Sequence, residues 1–421
     1  MERFINRTTH ILTILCMLSS VATMKAQMVN TGEMTIMPNT EVGLVSDFEN
    51  TTTANFFNDG DVYVYGNIFN EGIIAFANQG LTRFAGNSIQ VLNSTQEMLF
   101  YNVLFSNTSA QQPFQLQGSI YAENSVDFTQ GTVNNRDFNG VFTFGPMSTV
   151  FNASDNSHVN GEVIKIGDTN FTFPLGEGNF YQPAEISAPG NITDDFRSIY
   201  VFENSNTASS SHDLKSDIID RIDDTEYWRI ERNTGSSEVF ITLSWNANTT
   251  PDFITNAPDP NLIHVVRWDA VNNFWVDEGG IVDAANQTVT TIAQVPEYGI
   301  YTLATIRPEL ELPDDLVIYN ALTPNGDGRN DILLIDGLER YPNNVVRIFN
   351  RNGIEVFSAR GYNNQDKVFR GFSSGRMTIN GSTQLPAGTY FYILEYEFPG
   401  SASIQAQQVK KAGFLYINSE D

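Results

Sequence analysis

From Gln27 to about Gly190 the apolar residues come in short runs of Val, Ile, Phe and Tyr cut by Asn and Gly, as in "FFNDGDVYVYGNIFNEGIIAFANQGLTRFAG". Val62 and Val64 alternate with Tyr63 and Tyr65 before Gly66, the period of two that places successive side chains on opposite faces of a strand. No stretch sustains a capped 3.6-residue period, so this region is predicted to be β throughout. The triplets Asn58-Asp59-Gly60, Asn70-Glu71-Gly72 and Asn78-Gln79-Gly80 recur at irregular spacing. Short strands with Asn and Gly at the corners fit a parallel β-solenoid, whose stacked rungs share one core and whose turns call for residues that accept positive φ. An antiparallel sandwich would use the same composition; the solenoid is the reading adopted for residues 27–190.

Pro and Gly become dense in "KIGDTNFTFPLGEGNFYQPAEISAP", and the pattern then changes. Between 191 and 306 the runs "SIYVFE", "EYWRIER", "SEVFITLSWNA", "LIHVVRWDAVNNFWVDEGG" and "QTVTTIAQVPEYGIYTLATI" predict five or more alternating strands, an immunoglobulin-like β-sandwich. Trp228, Trp245, Trp268 and Trp275 all fall there, where large rings most simply fill the space between two sheets. The Pro-punctuated, acidic 307–315 reads as a linker, and 316–421 as a third compact β module. The expected fold class is therefore all-β.

Residues 1–26 have the order of a secretory signal peptide: Arg3 and Arg7, an apolar Ile11 to Ala22 too short to span a bilayer, then Met24-Lys25-Ala26. Cys16, the one cysteine, lies inside it behind Leu15, where a lipoprotein signal would carry a small residue. Without the leader the chain would have no disulfide, thiolate nucleophile or cysteine zinc ligand. No later stretch reaches 18 uninterrupted apolar residues, so an exported protein is expected, soluble or held to a surface by contacts. The whole chain has 49 acidic and 23 basic residues; taking away Glu2, Arg3, Arg7 and Lys25 leaves 48 against 20, a net charge of −28. Such a surface repels phosphate backbones and argues against nucleic acid as a partner.

The stretch "LTPNGDGRNDILLIDG" gathers Asn325, Asp327 and Asp331 in one glycine-rich loop. Hard cations take oxygen ligands at such intervals, which makes Ca²⁺ the candidate ion and these three residues its candidate ligands. Arg329 stands where a helix-loop-helix calcium loop would carry an oxygen side chain, and no bidentate Glu follows. A turn in which Asp and Asn bond their own backbone explains the loop as well and is the reading adopted, with no cofactor required. Further on, "VVRIFN" and "IEVFSA" flank "NRNG", a hairpin signal of the Asn-Gly kind associated with a two-residue primed turn. "LPAGTYFYILEYEF" is one long strand started by Pro386 and Gly388.

Taken in order, "TPNGDGRND", "YPNNVVRIFNRNG", "RG", "LPAGTYFYIL" and a final "GFLYIN" resemble the type B C-terminal sorting domain of the bacterial type IX secretion system, the gliding-motility-associated C-terminal domain. The likeness spans about Leu316 to Asp421. It implies a small Greek-key-like β-sandwich, read by the outer-membrane translocon and shuttle components and in type B members often held by an outer-membrane protein of the kind that anchors gliding adhesins. It implies delivery across the outer membrane to the cell surface or beyond. The matching positions are Pro324, Asn325, Gly326, Asp327, Gly328, Asn330 and Asp331, then Asn350, Arg351 and Gly353, then Pro386, Gly388, Thr389 and Tyr390. Two departures are Asn352 and Phe369, where the family usually has Trp.

Catalytic signals are weak. Past the leader only His158, His212 and His264 remain, in separate segments, without a His-Glu-x-x-His helix or a Gly-x-Ser-x-Gly elbow. "SSSHD" at 209–213 reads as a polar loop, because triads are assembled from separated positions. Asp223, Asp224 and Glu226 read as a solvated acidic edge rather than a glycosidase pair. The expected function is a non-enzymatic surface protein, an adhesin or an accessory of gliding or adhesion. The rival is a carbohydrate-binding or carbohydrate-active protein on the same export route, with a surface glycan stacked on Trp268 or Trp275.

Overall fold

The computed structural model describes residues 27–307, 316–373, 384–398 and 407–418. The signal-peptide expectation for 1–26 and nearly all of the expected linker lie outside them. The protein is all-β, and its N-terminal part is a solenoid of about six turns, as the strand pattern anticipates.

Three parallel faces build each rung. The first stacks Gln27–Asn30, Asp47–Asn50, Ile68–Asn70, Gln90–Ser94, Phe114–Leu116, Val133–Asn134 and Val159–Asn160 in chain order. The second begins with Glu33–Ile36, Asn55–Asn58 and Ile73–Ala75, and the third with Glu41–Leu44, Asp61–Val64 and Leu81–Phe84. From the fourth rung the long strands Met98–Ser106 and Ser119–Gln130 each turn the corner and serve both faces. The inward rows are apolar: Phe48, Ile68, Leu92 and Leu116 on the first face, and Phe84, Phe105 and Phe128 on the third. Ring centroids in the last row lie 5.3 and 5.6 Å apart, close to the spacing of neighbouring strands. Burial of this continuous row holds the rungs together, since no rung covers its own apolar edge.

At the corner after the first face, Asn30 Nδ2 donates to Asn50 Oδ1 (2.9 Å) and Asn50 Nδ2 to Asn70 Oδ1 (2.8 Å). Asn50 and Asn70 are buried, and this ladder supplies partners that their amides would otherwise lack. The glycines of the Asn-x-Gly triplets serve a different need from the positive φ expected of them. Gly72 lacks positive φ; a Cβ there would sit 2.3 Å from Ala54 O on the rung before. Only Gly80 combines a close approach, 2.2 Å to Asn58 O, with a φ of 129°. Rung-to-rung contact, more than turn dihedrals, excludes side chains at these corners.

The last solenoid strand, Val163–Ile166, pairs antiparallel with Asp195–Val201. The solenoid's second face therefore continues into a sheet with Tyr227–Thr234, Gly299–Ile306, Ile263–Asp269 and Phe274–Asp277. A second sheet takes the order Phe171–Phe173, Ala184–Ile186, Ile241–Ser244, Thr288–Thr290, Ile281–Asp283, so residues on both sides of 190 share it. Between the two lie Trp228, Tyr200 and Tyr301, while Trp275 and Trp268 form a satellite cluster with Ile219 and Val266. All four tryptophans are buried.

The C-terminal module is a five-stranded sheet ordered Ala321–Leu322, Gln407–Ile417, Gly388–Phe398, Asn344–Phe349, Glu355–Arg360. Its own core, including Leu333, Val346, Tyr362, Phe369, Leu394 and Leu415, is separate from the one shared by solenoid and sandwich.

Candidate functional site: the C-terminal module

In the loop that opens the module, Asn325, Asp327 and Asp331 each accept from backbone amides of the same loop. Asn325 Oδ1 accepts from Asp327 N (3.1 Å), and Asp327 Oδ1 from Arg329 N (2.7 Å). The carboxylate of Asp331 accepts from Gly326 N and Gly328 N, both at 2.7 Å. Gly326, Gly328 and Asn330 take positive φ, which turns those N–H groups inward. The structure thus gathers Asn325, Asp327 and Asp331 around the chain's own amides. Among the described residues no cluster of three or more His, Cys, Asp or Glu side chains is placed to hold a metal. Pro324 is fixed from two sides: its carbonyl accepts from Gln384 Nε2 (2.9 Å), and a Cβ on Gly371 would come within 2.7 Å of its ring.

The hairpin falls where "NRNG" places it, but with another turn. Positive φ occurs at Gly353 and not at Asn352, which excludes the two-residue primed turn. Gly353 N donates to Asn350 O (2.9 Å), Asn350 N to Ile354 O (3.0 Å), and the ladder shifts register between Ile348 and Phe349. Asn350 decides this geometry, because its Oδ1 accepts from both Asn352 N and Ile354 N. Arg351 is exposed at the tip. Phe369, where the family usually has Trp, is fully buried against Phe357 at 5.0 Å. Tyr390 OH bonds back to Pro386 O (3.0 Å), closing the entry to the strand that begins at Gly388 and Thr389.

The other candidates are dispersed. His212 Nε2 pairs with Ser205 Oγ (2.8 Å), not with its neighbours in "SSSHD", and burial pushes it down to about 4. His158 faces Ser154 O, and burial lowers its pKa as well. His264 Nδ1 pairs with Asp277 on another part of the sandwich (2.8 Å). Trp268 and Trp275 are buried, so neither offers a ring face to a sugar.

Asp223 and Glu226 correct the sequence reading. Asp224 alone is solvated; the other two are fully buried. Glu226 accepts from Tyr200 OH (2.5 Å), Gln182 Nε2 (3.0 Å) and Thr250 Oγ1, and Asp223 Oδ1 from Thr225 and Glu226 amides. Every one of these donors is neutral, and Asp223 Oδ2 has no partner. Burial, then the nearby Glu226, push Asp223 up to about 8; burial also raises Glu226. "DDTE" gives no sign of this, because Gln182, Tyr200 and Thr250 arrive from segments distant in the chain.

Residues 316–417 match the family of the CHU_C Type IX secretion signal domain. No curated protein and no solved structure matches the chain. The C-terminal module is thus a type IX secretion signal domain, as its motifs indicated, and it occupies about a quarter of the 421 residues. The chain that carries it is exported across the outer membrane to the cell surface or the extracellular space, and interacts with the type IX secretion machinery.

Proposed function

We propose that residues 27–307 are the cargo of this signal and act, without catalysis, as an adhesin or as an accessory of gliding or adhesion at the cell surface. The observation that carries this reading is the secretion signal at the end of a cargo whose candidate chemistry is buried or scattered. The three histidines sit in separate hydrogen-bonded settings, and the buried acid pair lies among neutral donors inside a sandwich. A solenoid fused through a shared sheet to a sandwich makes a stiff spacer, suited to holding a binding surface away from the envelope. The partners on this reading are the translocon and shuttle components, with an outer-membrane anchor of the gliding-adhesin type. A glycan-directed reading has no tryptophan platform to rest on, with Trp268 and Trp275 sealed.

Deleting the chain's gene should reduce surface attachment or spreading of the cells, and a chain with Asp223→Asn, Glu226→Gln and His264→Ala should restore it in full. Unchanged attachment and spreading in the deletion would contradict the proposal, as would failure of this triple variant to restore them while still displayed and folded.

A further inference from the structure

One strand of the solenoid carries a glycine that neither packing nor backbone geometry requires. Gly43 lies within Glu41–Leu44 on the first rung, exposed between Val42 and the buried Leu44. Its φ is not positive, and a Cβ there would meet only Val45 Cγ1 at 3.7 Å and Tyr65 Cε2 at 3.8 Å, ordinary contact distances. The corner glycines Gly60 and Gly66 differ, because a Cβ on either would come to 2.5 Å from a backbone oxygen of the rung before. A strand glycine that weakens the strand and relieves no clash marks a place that something else approaches.

The next rung shows what the missing side chain leaves open. Tyr63 stands in register between Gly43 on one side and Arg83 on the other. The Arg83 guanidinium lies over one face of the Tyr63 ring, 5.2 Å from its centroid, so the opposite face looks across the Gly43 position, where no side chain covers it. Tyr65, 42% exposed, continues the surface: its ring is within 11° of parallel to that of Tyr63, with centroids 6.3 Å apart. Val45, 80% exposed, closes the far end. This aromatic strip is open at the free end of the solenoid, because Glu41–Leu44 pairs with Asp61–Val64 and with no other strand among the described residues.

Polar groups edge the strip. Asp61 accepts from Arg83 Nε (2.8 Å) and Nη2 (2.9 Å), a fork that fixes both side chains and leaves Nη1 outside it. Glu41, exposed, stands opposite Asp61 in the register. Apolar ring faces edged by fixed donors and acceptors match a pyranose, which has a flat C–H face and a rim of hydroxyls. Charge narrows the choice. Residues 27–315 hold ten Lys and Arg against 38 Asp and Glu, which repels acidic polysaccharide and anionic lipid. A basic peptide is disfavoured at the ring itself, since Arg83 already occupies the other face of Tyr63 and sets a positive charge beside the site.

We infer that Tyr63 and Tyr65, with the opening over Gly43, form a binding platform for an uncharged glycan, one sugar ring lying on Tyr63 and the next on Tyr65 while Asp61, Arg83 and Glu41 take hydroxyls. The inference rests on the adhesin reading and gives that function a site and a ligand class.

The test applies the full-length exported protein to an array of neutral, acidic and amino oligosaccharides and, separately, to an immobilised peptide rich in Arg and Lys. Selective retention by neutral glycans is expected. Gly43→Val sets a side chain over the Tyr63 face and should lower that retention about tenfold, the worth of one aromatic stack. Its thermal unfolding should stay at or above the parent's, since a Cβ has room there and valine suits a strand. Tyr63→Ala should lose binding to the same extent and Tyr63→Phe should keep it. Neutral-glycan retention that survives in both Gly43→Val and Tyr63→Ala would overturn the platform, as would binding only to the peptide, binding only to acidic glycans, or no binding by the parent. If the gene deletion still weakened attachment in those cases, the adhesin reading would stand without this site. Neutral-glycan binding lost in Gly43→Val, beside a deletion that leaves attachment unchanged, would support the site and overturn the adhesion role.

Discussion

Between pH 6.5 and 8 the middle sandwich is expected to lose about 1–2 kcal/mol of stability, and Asp223→Asn to reduce that loss. The sign follows from burial. The folded pKa of Asp223 is pushed up to about 8 from an ordinary 3.8, so over this window the native state keeps a proton that the unfolded chain has released. Stability then falls as pH rises and levels off above the folded pKa. Glu226, raised in the same direction by burial, acts with the same sign. His212, held down to about 4, acts oppositely, gaining stability as pH rises through the range between about 4 and 6.5, which is why the window starts at 6.5. Asn keeps the acceptor that Thr225 and Glu226 amides use and carries no charge at any pH. The four tryptophans all report on this sandwich, so urea midpoints by tryptophan fluorescence read it directly. A wild-type stability that is flat or rising over the window would contradict the buried, proton-holding carboxylate.

A chain ending at Arg307 is expected to fold and to remain in the periplasm, with surface-exposed protein falling to background. Solenoid and sandwich share one core, the module has its own, and a small patch around Phe240, Phe349 and Ile393 joins them. Truncation uncovers Phe240, at a cost of about 1.5–3 kcal/mol in lost burial, and leaves the tryptophan core intact. Fractionation with proteinase treatment of whole cells measures the location. Surface arrival equal to that of the full chain would remove the module's role.

Much of this was legible in the sequence, and what was not has a common cause. The alternation of Val62 and Val64 with Tyr63 and Tyr65 marks an inward and an outward face, and the structure buries the valines. The rung length stayed hidden because the corners vary: Gln27 pairs with Asp47, twenty residues on, but Ile68 with Leu92, twenty-four on. The position of the "NRNG" hairpin could be read, whereas its turn depends on which amides the Asn350 side chain takes. The module was recognisable because its motifs are linear. Its covered outer face was not, since Phe240 comes from the sandwich. Alternation did hold a clue there: with Tyr390, Tyr392 and Leu394 on one side, Phe391 and Ile393 on the other signal a strand covered on both faces, and Phe240 supplies the second cover. Asp223 and Glu226 misled for the same reason, their neighbours being brought by tertiary pairing alone.

The most direct measurement joins residues 316–421 to an inert, monomeric, periplasm-competent passenger and follows it in a host that possesses this exporter. Protease-accessible passenger on intact cells, lost when the exporter is inactivated, is the predicted result. A passenger that stays protected in the periplasm, although the module is folded and intact, would contradict the claim that this domain carries its cargo out.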